Sequence, residues 1–319
     1  MKTITVSNEP GNNADYTSLY EAFSHLNEIE GPVTIRLKKG VYHEVLTLSK
    51  SDVTIEGEDP ENTVISMNRY AKEILQDGLK RGTFRTQTLL IDGDRVTLRN
   101  LTVENTAGCG AKYGQAIALY VDGDDCRFEN VRLLGQQDTL FLAPLPPKEV
   151  EPGGFRGPKQ NTPRTPRKTV FRDCFIAGNV DFIFGGGAAF FESCIIHSVN
   201  DPLFSGTGYV TAASTPESIP YGFVFNKCRF TSDCGTGSFY LGRPWREYSK
   251  TFFIDCEYGP HIKQEGFADW SGRGASGTVF YAEYCREGQT GRASFAKALS
   301  EEESRRYLAG CNDYFFAKE

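Results

Sequence analysis

Six strand-like runs in this chain repeat one pattern: an apolar residue, any residue, a polar or charged residue, an apolar anchor, any residue, then an apolar residue. They read Leu98-Arg-Asn-Leu101-Thr-Val103, Phe128-Glu-Asn-Val131-Arg-Leu133, Phe171-Arg-Asp-Cys174-Phe-Ile176, Phe191-Glu-Ser-Cys194-Ile-Ile196, Phe225-Asn-Lys-Cys228-Arg-Phe230 and Phe253-Ile-Asp-Cys256-Glu-Tyr258. The anchors lie 30, 43, 20, 34 and 28 residues apart, so each interval holds one set of strands plus a loop of variable length. Such self-similarity marks a solenoid, in which no unit buries its apolar face alone. No crossover helices separate the runs. The expected architecture is therefore all-β, a right-handed parallel β-helix, with an antiparallel sandwich as the alternative.

The rest of the sequence fits that expectation. Length alone, 319 residues, would suggest two domains. A solenoid makes length a count of rungs, and one domain over 1–319 is expected. The 33 Gly and 23 Phe against 2 Met favour strands and turns, with Gly expected at the turns between strands. Four of the nine cysteines occupy anchor positions on successive units. They are expected to form an interior column of reduced thiols, since no C-x-x-C pair occurs and nothing demands a disulfide. Short helical caps are expected at both ends. Leu19, Ala22, Phe23, Leu26 and Ile29 recur at helical spacing behind a Ser18/Glu21 capping box. Ser300 precedes three glutamates, and Gly310 marks the expected end of a second helix.

Charge and hydropathy exclude several classes. A net charge of −6 and a pI near 5.5 speak against nucleic-acid binding. No apolar run is long enough to span a membrane. The first residues contain no apolar stretch of the signal-peptide type. The four histidines are scattered and no Gly-x-Ser-x-Gly elbow occurs, which argues against a Ser-His-Asp esterase. No ligand spacing suggests a metal, and no cofactor is expected.

The repeat register also points to a site. Asp138 follows anchor Val131 by seven residues, and Asp181 follows anchor Cys174 by seven. If those anchors stack on adjacent rungs, the two carboxylates stack about 5 Å apart. Like charges that close push one pKa up, so one carboxyl keeps its proton while the other is ionised. Asp201 stands seven past Cys194, but Pro202 suggests that the strand ends there, so it is expected to be structural or solvated.

These residues sit in motifs that carry a resemblance. Gly114-Gln-Ala-Ile-Ala-Leu119, Gly135-Gln-Gln-Asp-Thr-Leu-Phe141, Gly178-Asn-Val-Asp-Phe-Ile-Phe-Gly185 and Leu241-Gly-Arg-Pro-Trp245 resemble, in order and spacing, the motif set of pectin methylesterases. Tyr209-Val-Thr-Ala-Ala213 and Tyr281-Ala-Glu-Tyr284 extend the likeness over nearly the whole chain. The resemblance implies a right-handed parallel β-helix that hydrolyses methyl esters of polygalacturonate or oligogalacturonides, acting as a monomer. It implies Asp181 as nucleophile and Asp138 as general acid, then base. Arg243 would orient Asp181, and Gln115 and Gln137 would donate to the oxyanion, amides being neutral donors. Gln136 should face the other way by strand alternation. Trp245 would line the sugar cleft, with Trp270, Phe182 and Thr86 as further candidates.

Two rival readings remain at this level: a uronide-binding β-helix without turnover, and a relative acting on other esters such as acyl thioesters. Two close carboxylates also occur in retaining glycosidases, but the paired amides argue for ester chemistry. The compartment follows from neither reading. A bacterial cytoplasm receiving oligogalacturonides and an exported protein whose leader has been removed both fit. Residues 143–168 hold 7 of the 15 prolines and six Lys/Arg, and read as an extended basic loop. Its cations Arg156, Lys159, Arg164 and Arg167 are expected to meet uronate carboxylates of the substrate, with a solvated proline-rich insertion as the equal alternative.

Overall fold

The computed structural model describes residues 2–9, 11–203, 206–285 and 291–317. Short parallel strands coil as a right-handed parallel β-helix, and among the described residues they stack into three sheets of 11, 8 and 7 strands. We call these sheets 1, 2 and 3, in the order in which a rung visits them.

The repeated pattern is the corner from sheet 1 to sheet 2. Phe128 pairs with Leu98 and with Phe171, which pairs with Phe191, then Phe225, then Phe253. The five phenyl rings stack face to face at 4.5 to 4.8 Å with interplanar angles of 7 to 11°. Stacking of this kind adds about 0.5–1.5 kcal/mol per pair beyond the area buried.

The polar residue of the pattern makes the corner itself. Asn100, Asn130, Asp173, Ser193, Lys227 and Asp255 all adopt φ between 50 and 55°. Each donates its backbone N–H to the next rung, as in Asn130 to Arg172 O at 3.1 Å and Asp173 to Glu192 O at 3.0 Å. The turns expected at glycines are therefore single left-handed residues. Asn and Asp tolerate that region best among residues with a Cβ, and a side chain here can also ladder, as Asn130 Nδ2 does to Asn100 Oδ1 at 2.8 Å. One residue past the corner come the anchors. Cys174, Cys194, Cys228 and Cys256 are buried and free of disulfides, and each thiol donates to the carbonyl of the phenylalanine one rung back at 3.4 to 3.6 Å.

The ends differ from each other. The N-terminal helix Leu19–His25 starts at Ser18, whose side chain accepts from Glu21 N, and buries Leu19 and Ala22 in the interior core. The C-terminal helix Glu301–Phe316 has the Ser300/Glu303 capping box but does not close the coil. It lies on the outer face of sheet 1, burying Cys311 and Phe315 against Phe190, Val224 and Phe252. It also runs past Gly310, the expected terminus. A Cβ there would stand 2.1 Å from the Tyr221 hydroxyl, so this glycine permits close packing and does not end the helix.

Candidate active site

The outward face of sheet 3 is apolar. Leu90, Tyr120, Phe141, Phe184 and Ala212 form a second core, roofed by Phe84 and by Phe155 of the 143–168 loop. Trp245 and Trp270 pack at its edge. Where sheet 2 turns into sheet 3, this apolar floor ends in a cleft of about 440 Å³ that contains the carboxylate pair.

Gln137 bridges Val180 in parallel register, Asp138 N donates to Val180 O at 3.0 Å, and Leu140 pairs with Ile183. Asp138 thus sits one rung from Asp181, as the anchor spacing predicts. Both carboxylate residues are corner residues in the left-handed region, with φ of 65° and 49°. The glycine three residues before each Asp has a packing reason. A Cβ on Gly135 would approach Thr139 Oγ1 to 2.7 Å, and one on Gly178 would approach Phe182 Cβ to 2.3 Å, because the residue after each Asp folds back over that glycine.

A bulge then aims Asp181. Strand Val180–Gly185 pairs Val180 with Tyr209 but Ile183 with Thr211, so it carries one extra residue against its neighbour. Bulges of this type redirect side chains. Asp181 lines the cleft, while Phe182 enters the interior core, fully buried. Phe182 is therefore a core residue and not part of the sugar cleft. Thr86 is corrected in the same way. It is fully buried, donates to Thr83 O at 2.7 Å and accepts from Ile117 N at 3.0 Å, so it braces the neighbouring loop.

Arg243 reaches back across the intervening rung to Asp181. Nε donates to Oδ1 at 2.9 Å and Nη2 to Oδ2 at 2.7 Å. Its guanidinium is held between the rings of Tyr209 and Trp270, at 3.8 and 3.9 Å from their centroids. This planar sandwich and forked contact require arginine; lysine provides neither. Gln115 and Gln137 line the same cleft and Gln136 does not. Gln137 fits because residue 110 is glycine: a Cβ there would stand 2.4 Å from its Oε1.

Burial, then the neighbouring Asp181 charge, hold the Asp138 carboxyl well above its ordinary value, against a smaller pull from Arg243. Burial also raises Asp181, but the forked hydrogen bonds and charge of Arg243 oppose that rise directly. Asp181 is the one whose charge is compensated. The arrangement is two carboxyl residues on adjacent rungs, one of them with its charge compensated by Arg243, in a cleft that two side-chain amides also line.

The basic loop behaves differently from expectation. Lys159 is paired with Asp92 and, at 3.0 Å, with Asp122. Arg167 lies 3.7 Å from Asp122, and Arg164 donates to the carbonyls of Pro146, Lys159, Gln160 and Thr162. Lys159 and Arg167 thus strap the loop to an acidic corner of the coil, and Arg164 ties the loop to itself. Arg156 is exposed and does not line the cleft. What the loop gives the cleft is Val150, Glu151, Gly154 and Phe155. Neither these residues nor Thr83 and Phe84 carry a repeat signal, since they come from loops whose course the rung pattern does not encode. Asp201 is buried, accepting from Leu203 N at 2.9 Å and lying 3.5 Å from Asn179 Nδ2, which makes it structural.

A family model described as Pectinesterase matches residues 3–144 and 163–299. A pectinesterase/pectinesterase inhibitor of Solanum lycopersicum is 34% identical over 284 residues, which is 86% of this chain and 43% of that relative's length. The chain thus spans less than half of that curated relative. Among solved structures, a pectin methylesterase from carrot superposes with a TM-score of 0.76 at 28% identity, covering 93% of this chain and 88% of that one. A pectin methylesterase in complex with a hexasaccharide shares the fold at 24% identity and a TM-score of 0.79, covering 99% and 97% of the two chains.

Proposed function

The chain belongs to the pectinesterase family, and from that premise we propose that it hydrolyses the methyl esters of polygalacturonate or its oligomers, releasing methanol and free carboxylate. The observation that carries the reading is the pair of unlike carboxylates, Asp138 and Asp181, on adjacent rungs of one cleft. The Asp181 carboxylate attacks the ester carbonyl carbon, and the carbonyl electron pair moves onto oxygen. Amide N–H groups of Gln115 and Gln137 hold that oxyanion without placing a competing cation beside the two carboxylates. On collapse the C–O bond to the methoxy group breaks, and the Asp138 proton goes to the leaving oxygen, giving methanol. An acyl–Asp181 anhydride remains. Asp138, now ionised, takes a proton from water, the resulting hydroxide attacks the acyl carbon, and Asp181 departs as carboxylate. The cycle ends with Asp138 protonated again. Arg243 orients Asp181 and stabilises its ionised form at the start and end of the cycle.

Trp245 and Trp270 border the cleft where a sugar ring would lie, and the hexasaccharide complex of a protein with this fold supports an oligosaccharide ligand. Rates on a fully methylated hexagalacturonate and on an acyl-CoA thioester test the substrate class. Methanol release from the first with no turnover of the second is expected. Thioester hydrolysis without methanol release would overturn the reading.

A further inference from the structure

The 143–168 loop forms part of the cleft wall, and a buried ion pair holds it there. Asp92 and Asp122 directly follow strands Leu89–Ile91 and Leu119–Val121 of sheet 3. Those strands pair Ile91 with Val121, so the two carboxylates stand one rung apart. Lys159 Nζ bonds both of them. The Lys159 side chain is 13% exposed and that of Asp122 8%. Burial alone would lower the Lys159 pKa, but hydrogen bonds to Asp92 and Asp122 outweigh it and hold the ammonium above its ordinary value. Removing one partner of such a pair leaves a buried charge uncompensated.

Four residues upstream, the same loop places Phe155 in the cleft wall. Its ring meets Phe84 at 5.7 Å and Trp245 at 6.4 Å, edge-on to both with an interplanar angle of 81°. Trp245 also packs against Phe184 of the floor, at 5.9 Å. Between Phe155 and Lys159 the chain runs close over Phe84: a Cβ on Gly157 would stand 2.4 Å from Phe84 O. The Glu149 carboxylate accepts from Gly153 N at 2.9 Å and from Phe155 N at 3.3 Å, which closes the turn that presents the ring. Lys159 itself does not line the cleft.

We propose that Lys159 is a positioning residue for the cleft: through Asp92 and Asp122 it latches the loop so that Phe155 holds Trp245 ready for a sugar ring. The inference rests on the pectinesterase reading, because it presumes a galacturonate chain against Trp245. The latch acts on binding and not on the chemical step. A wall already ordered in the free protein loses less conformational freedom when substrate arrives.

The test is methanol release from fully methylated hexagalacturonate by wild type, K159Q, K159R, F155A and K159Q/F155A, with tryptophan emission recorded for each. K159Q should raise KM about tenfold and leave kcat within about twofold. K159R should recover most of the loss, since arginine can also bond both carboxylates. F155A should raise KM to a similar extent, and the double variant should be no worse than F155A, because the latch acts through that ring. Emission should shift to the red in K159Q and F155A, as Trp245 gains water, and stay in place in K159R. Unchanged KM in folded K159Q, additive effects of K159Q and F155A, or a fall in kcat at constant KM would each overturn the latch. D92N leaves Lys159 one carboxylate and takes the place of K159Q if that variant does not fold. Its KM should rise about threefold, and a wild-type value would overturn the proposal. Emission reads the latch without turnover. Wild type that releases no methanol would contradict the enzymatic reading, and the emission shifts would still decide the latch.

Discussion

Asp138 and Asp181 are the same residue type at equivalent corners, and their neighbours make them chemically different. Arg243 compensates one charge and leaves the other carboxyl buried and neutral. The pH dependence of methanol release should accordingly be bell-shaped. Its acid limb reports ionisation of Asp181 above the ordinary carboxylate range, and its alkaline limb reports loss of the Asp138 proton at higher pH still. D138N should remove the alkaline limb and lower kcat by about 10²–10⁴-fold. The same substitution should raise stability. The folded state holds a proton on Asp138 that the unfolded chain releases above about pH 4, so wild-type stability falls as pH rises from there through the folded pKa. Thermal melts should show D138N gaining over wild type at pH 7, with the gap closing towards pH 4. Q115A and Q137A should each lower kcat by about 10²–10³-fold with little change in KM, as expected for donors that act on the developing oxyanion. This level was largely legible in the sequence, because rung spacing places carboxylates on one another without any knowledge of loops. Phe182 was not. It alternates inward from the outward Asp181, and a motif resemblance does not say which face a side chain takes.

At the scale of the element, the corner from sheet 1 to sheet 2 is a one-residue device used at least six times with φ near 50°. Asn130→Val should cost about 1–2 kcal/mol through left-handed strain on a β-branched residue, while Asn130→Gly should be close to neutral. Chemical denaturation of the two variants checks this. The repeat was readable because a fixed three-residue offset links the stacked phenylalanine, the left-handed residue and the buried anchor. The corner chemistry was misread because glycine is the commoner answer to positive φ, and here Asn, Asp, Ser and Lys fill the role. The C-terminal helix was recognisable from its capping box. Its place on the outer face of sheet 1 depends on Phe190, Val224 and Phe252, which point outward from strands and look like core in one dimension.

The molecule is a coil of stacked strands that delivers side chains at fixed intervals, with loops deciding what the cleft admits. Residues 145–162, which the family match does not cover, include Val150, Glu151, Gly154 and Phe155 of the cleft wall. The loop's basic composition suggested contact with substrate, but Lys159 and Arg167 meet Asp92 and Asp122, and Arg164 meets backbone carbonyls of the loop itself. A linear sequence shows the cations without the acidic ladder that receives them. The most direct test of the central claim is methanol release from fully methylated hexagalacturonate by wild type and D181N, an isosteric change that removes the attacking charge, with circular dichroism confirming that both are folded. Wild type should turn over and D181N should fall to background. Comparable release by folded D181N would contradict the assignment of Asp181 as the nucleophile.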